Sequence, residues 1–163
     1  MVLTSSMGAT LRSATAADIA AIEALLSAAA LPTTGIGEIV RATPNDAVVA
    51  EREGAIVAAG ALEVVGTGAA LLRSIVVRDD QRSTGIGRAL VLRLLANADA
   101  RDLDLYLLTT TADRWFPQFG FVPADRASAP SAIANTWEFK TGCSQTAVAM
   151  MRPAGGTREP AAS

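Results

Sequence analysis

The sequence predicts one mixed α/β domain, and three observations predict it. Apolar residues recur at helical spacing in two separate stretches, short β-branched or small apolar runs lie between and after them, and polar or glycine-rich turns divide the runs. The resulting order is β-α-β-β-β-α-β-α-β, with a further strand near the end. Three successive strands between two helices describe a mixed, mostly antiparallel sheet flanked by helices, not a doubly wound one. Half of the 163 residues are hydrophobic, which is enough apolar material for one core.

Taken in order, residues 1–8 are small and polar and read as a loose tail. A short strand surrounds Leu11. Thr15 stands three residues before Asp18, the spacing of a capping box, and Ile19, Ile22, Leu25 and Leu26 follow at helical spacing. That helix should stop near Leu31-Pro32, because proline restricts the residue before it and cannot continue the hydrogen bonding. Residues 47–50, 55–65 and 70–77 are strands of an antiparallel meander, parted by Glu51-Arg52-Glu53-Gly54 and Gly66-Thr67-Gly68. Ile86, Leu90, Leu94 and Ala98 then repeat every four residues, with Arg93, Asn97 and Arg101 on another face, a helix of about four turns. Residues 103–109 form a strand, 112–118 a short helix, Phe121-Val122 opens another strand, and 147–151 is the last. Residues 125–145 show no clear period, and 153–163, rich in Pro, Gly and Ala, read as a second tail, so the domain spans 9–152.

Composition excludes several chemistries. The chain has no histidine, which removes Ser-His-Asp triads, Cys-His dyads and HExxH zinc sites together, and no metal is expected. A net charge of −2 with scattered basic residues gives little attraction for nucleic acid. One cysteine cannot form an internal disulfide, and the first residues have neither the basic nor the apolar part of a secretory signal. The apolar runs are too short to span a bilayer, so a cytoplasmic protein without a membrane partner is expected.

The stretch with the clearest chemistry is Arg82-Ser83-Thr84-Gly85-Ile86-Gly87, between a strand and a helix. Glycines let backbone approach a ligand closely, and the first amides of a helix point outward beside the positive end of its dipole, so the turn suits an anion. Two glycines also suit a plain strand-to-helix turn. A Walker A loop is excluded because Lys and Ser/Thr do not follow, and a dinucleotide fingerprint fits badly because Leu90 stands where its third glycine would be.

Arg82-x-x-Gly85-x-Gly87, five residues after Val77, resembles the Q/R-x-x-G-x-G/A pyrophosphate motif of the GNAT N-acetyltransferases. Trp115-Phe116-Pro117-Gln118-Phe119-Gly120-Phe121 resembles that family's short helix ending in Gly-Phe, and the likeness covers about residues 10–152. It implies a strand 70–77 splayed from strand 103–109, leaving a V-shaped slot for acetyl-CoA. Ile75 and Val77 would offer backbone groups to the pantetheine, while the amides of Arg82, Ser83, Thr84, Gly85, Ile86, Gly87 and Arg88 would hold the pyrophosphate. Tyr106-Leu-Leu-Thr-Thr-Thr-Ala112 with the aromatic segment is similar to the acetyltransferase domain of N-acetylglutamate synthases, and closer to the stand-alone acetyltransferases found with arsenic-resistance genes. In the latter group Arg126, Pro130, Phe139, Cys143 and Ser144 are also expected. Thr141-Gly142-Cys143 replaces the paired arginines that a synthase would carry before its last strand, which argues against glutamate as acceptor.

The resemblance implies a tyrosine acid in the 115–116 region, where this chain has Phe116, which has no proton to give. Water or the incoming ammonium would then protonate the thiolate. Glu63 interrupts an apolar strand and is the candidate base, or else the exposed polar position of an alternating strand. Arg73 is a candidate to clamp a substrate carboxylate, or else to pair with a neighbouring strand, Glu63 being one partner within its reach. Arg126 is a weaker substrate candidate and otherwise a solvated loop charge, and Cys143 reads first as a packing residue without a base to activate it. The expected activity is transfer of acetyl from acetyl-CoA to the amine of a small molecule, an amino acid or a toxic analogue such as an arsenical. A peptide acetyltransferase and an acyl-CoA sensor without turnover are the alternatives. The apolar composition suits a homodimer.

Overall fold

The computed structural model describes residues 3–4, 8–142 and 146–156. The strands are β1 (Leu3–Thr4), β2 (Thr10–Ser13), β3 (Ala47–Arg52), β4 (Ala55–Val65), β5 (Ala69–Val77), β6 (Asp104–Thr109), β7 (Val122–Pro123) and β8 (Val148–Arg152). They lie in the order β1-β2-β3-β4-β5-β6-β8-β7. The β1–β2, β2–β3, β3–β4, β6–β8 and β7–β8 pairs are antiparallel, whereas β5 and β6 run parallel in the register Ala69–Asp104, Ala70–Leu105 and Leu71–Tyr106. The helices are α1 (Ile19–Ala28), α2 (Ile36–Ala42), α3 (Ile86–Asp99) and α4 (Ser131–Ala134).

The chain divides into two compact units, Met1–Leu62 with Arg73–Ala96, and Glu63–Leu72 with Asn97–Ser163. In the first, Ile19, Ile22 and Leu26 of α1 and Ile36 and Val40 of α2 pack on Ala47, Val49, Ala59, Ala61 and Val76. The opposite pleat face receives α3. A Cβ built on Gly60 would lie 2.6 Å from Ile75 Cδ1, 2.7 Å from Leu90 Cδ2 and 2.9 Å from Leu94 Cδ1, so only glycine lets the helix sit this close. Coverage on both faces explains why residues 57–62 of β4 are apolar without alternation. In the second unit, Ala69, Leu71, Ile133 and Phe139 form a buried cluster with Val65, Tyr106, Leu108 and Ala129 against it.

The entry to α1 carries the expected box: the Thr15 backbone N–H donates to Asp18 Oδ2 at 2.8 Å. Asp18 also receives both terminal nitrogens of Arg12, at 2.7 and 3.0 Å, tying the helix start to β2. The helix ends three residues before Leu31, where Ala30 turns left-handed (φ 58°) and the Leu31 N–H donates to the Leu26 carbonyl at 2.9 Å.

Four expectations need correction. α2 is absent from the predicted order because seven residues with glycines at positions 35 and 37 show too little period. The helix expected at 112–118 is a turn followed by a 3₁₀ segment, Phe116–Phe119, since Pro117 has no N–H to extend a longer helix. Within the expected N-terminal tail, Leu3 and Thr4 pair with Leu11 and Thr10. Within the expected second tail, the Ala154 N–H donates to Asp104 Oδ1 at 2.8 Å and the Gly155 N–H to Asp99 Oδ1 at 2.9 Å.

Candidate active site

The anion-binding candidate is built entirely in the first unit. β5 carries Ile75 and Val77, both half-buried, on either side of buried Val76. After β5 the Arg78 N–H donates to the Val57 carbonyl at 2.8 Å, and a 3₁₀ turn, Asp79–Gln81, redirects the chain. This turn is braced from outside. Arg52 Nη1 donates to Gln81 Oε1 at 3.0 Å, Arg78 pairs with Asp80 at 2.6 Å, and Arg82 lies 3.3 Å from Asp79.

Ser83 and Gly85 are both left-handed, at φ 66° and 88°. Between them Thr84 Oγ1 donates to the Gln81 carbonyl at 2.6 Å, closing the loop back on its own start. The first helical hydrogen bond of α3 runs from the Ala89 N–H to the Gly85 carbonyl, 3.0 Å. Helix geometry therefore leaves the amides of Ile86, Gly87 and Arg88 without an acceptor inside α3. Ile86 is buried and anchors the helix start, while Arg82, Ser83, Gly85 and Arg88 are exposed, and a Cβ on Gly85 would meet nothing within 4 Å. A fourteen-residue helix thus presents its positive end in open space, with a backbone able to accept the pyrophosphate of a nucleotide cofactor.

Arg73, also on β5, is 4% exposed. Its Nη2 donates to the Thr34 carbonyl and its Nε to Ser74 Oγ at 3.2 Å, where Ser74 is itself left-handed at φ 60°. A Cβ on Gly35 would come within 3.2 Å of Arg73 Nη1, so the glycine that opens α2 makes room for the guanidinium.

In the second unit Glu63 is half-buried near the end of β4. Arg126 is not a solvated charge: its Nη2 donates to the Phe139 carbonyl at 2.8 Å and its guanidinium lies 5.8 Å from the centre of the Phe139 ring. The aromatic segment forms a stack of edge contacts, Trp115 to Phe116 at 5.0 Å, Trp115 to Phe119 at 4.9 Å and Phe116 to Phe121 at 5.6 Å. Phe116 is buried in it. Cys143 and Ser144 lie outside the described residues.

A charge pair on a buried arginine escaped the sequence reading. Arg152 holds Asp99 in a two-pronged contact at 2.8 and 3.1 Å and donates from Nε to the Phe119 carbonyl at 2.8 Å. The Arg152 hydrogen bond draws the Asp99 carboxyl below the usual carboxylate range. An arginine closing an apolar strand is the one cue in the sequence, and it names no partner. Among the described residues no cluster of three or more metal-ligating side chains occurs, and no helix is long and apolar enough to cross a membrane.

Residues 43–123, which hold both the glycine turn and the aromatic segment, match the model of the Acetyltransferase (GNAT) domain. The solved structure of N-acetylglutamate synthase from Neisseria gonorrhoeae, complexed with coenzyme A and N-acetyl-glutamate, superposes with a TM-score of 0.75 at 18% identity, over 90% of this chain and 35% of that one. The fold is that of the GNAT acetyltransferases. Relatives of this chain include the amino-acid acetyltransferase of Pseudomonas fluorescens (strain SBW25), 35% identical over 94 residues, covering 56% of this chain and 22% of that protein. That of Ectopseudomonas mendocina (strain ymp) is 31% identical over 137 residues, covering 80% and 31%. The chain therefore spans between a fifth and a third of the length of these relatives.

Proposed function

We propose that this GNAT chain transfers the acetyl group of acetyl-CoA to the amine of a small, amino-acid-like acceptor. The observation that carries the reading is the loop at residues 82–87: left-handed Ser83 and Gly85, an open approach at Gly85, and the start of α3 aimed outward. Its amides, with backbone groups of Ile75 and Val77, hold the cofactor. The amino-acid acetyltransferase relatives support an amino-acid type of acceptor.

Acetyl-CoA supplies an acetyl thioester. Glu63 is the proposed base that takes one proton from the acceptor's ammonium and frees its lone pair. The lone pair forms a bond to the thioester carbonyl carbon as the C–S bond breaks, and the second proton that the nitrogen then sheds, directly or relayed through water, neutralises the thiolate, because Phe116 has no proton to give. Arg73 is the proposed clamp for the acceptor's carboxylate; the Thr34 carbonyl and Ser74 hydroxyl fix its guanidinium, so little orientation is lost on binding. Arg126 serves the substrate side by holding the 139 segment in place. The finer acceptor is an arsenical analogue of an amino acid, a reading that rests on the resemblance at Arg126, Pro130 and Phe139. The chain acts as a homodimer in the cytoplasm.

The test is thiol release from acetyl-CoA against a panel of free amino acids, arsenical analogues and peptides. Release with one free amino acid or arsenical is expected. Release with peptides only, or calorimetric binding of acetyl-CoA with no release from any amine, would overturn the reading.

A further inference from the structure

Gly120 and the segment at residues 153–156 meet in the second unit in a way the fold alone does not require. Gly120 is left-handed at φ 94°, and a Cβ there would lie 2.7 Å from the Gly156 carbonyl oxygen. Gly156 is left-handed at φ 82°, and a Cβ there would lie 2.7 Å from Arg152 Nη2. The side-chain space at Gly120 is thus taken by Gly156, and that at Gly156 by the Arg152 guanidinium. The turn is closed by the Gly156 N–H donating to the Pro153 carbonyl at 2.9 Å.

Five hydrogen bonds fasten this seat. Asp99, the last residue of α3, accepts from Arg152 Nη1 and Nη2 and also from the Gly155 N–H. Asp104, the first residue of β6, accepts from the Ala154 N–H. Arg152 itself, its side chain only 7% exposed, spends its Nε on the Phe119 carbonyl, the last residue of the 3₁₀ segment. A 3₁₀ turn leaves its final carbonyls without internal donors, so this bond completes a terminus that is otherwise unsatisfied. The ring contacts of Trp115 with Phe116 and Phe119 depend on how that terminus is held.

We infer that Arg152, Asp99 and residues 153–156 form a clasp that positions the aromatic turn 115–121, with Arg152 acting through the Phe119 carbonyl and not on any reacting atom. The clasp explains the Gly120-Phe121 pair in this chain: glycine is needed for the neighbour it admits as well as for its own backbone angle. It also gives the Pro-Ala-Gly-Gly run after β8 a function in place of a tail. The kinetic consequence rests on the acetyl-transfer reading, in which residues 115–121 resemble the family's short helix beside the departing thiolate, so releasing the turn lowers turnover. Asp99 closes α3 at the end opposite the 82–87 loop, about 20 Å away at 1.5 Å per residue, so cofactor affinity is unaffected.

The test uses the whole 163-residue chain carrying Trp137→Phe, which leaves Trp115 as the reporter, with Arg152→Lys, Asp99→Asn and Gly156→Ala introduced singly. Lysine keeps a charge opposite Asp99 but cannot serve Asp99 and the Phe119 carbonyl together, and Gly156→Ala keeps both charged groups but drives a methyl against the Arg152 guanidinium. Loss of most of the near-ultraviolet circular dichroism of Trp115 in all three variants is expected. With it should come a kcat at least tenfold lower, while the acetyl-CoA Kd by calorimetry stays within twofold. An unchanged Trp115 spectrum in Arg152→Lys and Gly156→Ala would overturn the clasp, whatever happens to activity. A lost spectrum with unchanged kcat would overturn its positioning role. Absence of acetyl-CoA binding in the parent protein would instead sink the acetyl-transfer reading and leave the spectroscopic result standing.

Discussion

Replacing Gly85 with aspartate separates folding from cofactor binding at one position. Gly85 has φ 88°, and holding an L-residue there costs about 1–2 kcal/mol. The side chain itself meets no obstacle, since nothing lies within 4 Å of its Cβ position. A carboxylate at the start of α3, whose first turn has no acidic residue, returns about 0.3–1 kcal/mol through the helix dipole. The net loss is about 1 kcal/mol, a fall in Tm of roughly 2–4 °C for a chain of this size. Binding should suffer more. A carboxylate sharing the helix end with a phosphate at about 6 Å, in an effective dielectric of about 20–40, is repelled by about 1.4–2.8 kcal/mol, or roughly ten- to a hundredfold in Kd. Gly85→Ala carries the same backbone strain without the charge or the dipole gain. Alanine should therefore lower Tm more, and aspartate should weaken acetyl-CoA more, by a margin that shrinks at high salt. Thermal melts and calorimetry at two salt concentrations measure both. Equal acetyl-CoA affinity in the two variants would refute the placement of the pyrophosphate at this loop.

Gly60→Ala should lower stability by about 1–3 kcal/mol in urea titrations, because Leu90 and Leu94 are fully buried and cannot withdraw from the new methyl; unchanged stability would mean α3 packs less tightly on β4 than described. Glu63→Gln should reduce kcat at neutral pH by about a hundredfold and recover as rising pH deprotonates the amine unaided, and a rate undiminished across the pH range would reject Glu63 as base. The Arg12 hydrogen bond holds the Asp18 carboxyl below the usual carboxylate range. Its stabilisation is present in full above the unfolded value of about 3.9 and is lost as pH falls through the lower folded value. Asp18→Asn should therefore unfold more easily at neutral pH, with the deficit narrowing in acid; a constant deficit would show that Asp18 acts through packing and not charge.

Much of this protein is local in its sequence. The bounds of β4 and the start of α3 follow from runs of β-branched residues and from a four-residue apolar repeat, and the capping of α1 from Thr15 and Asp18 three positions apart. The glycine turn is equally legible, because an outward-pointing helix start depends on residues 82–89 alone. What lay beyond reach depends on partners distant in the chain. Arg73 meets Thr34, Arg126 meets Phe139, and Arg152 meets Asp99 and Phe119, separations of 39, 13, 53 and 33 residues. An arginine's type announces that it needs acceptors and says nothing of which the fold will bring. The same holds for Gly60 and Gly120, whose absent side chains mark space taken by another segment. The residues before Gly85 and after it settle how a phosphate would be met; only the tertiary structure decides what braces the turn at 115–121, since backbone preference acts over a few residues and packing over the whole chain.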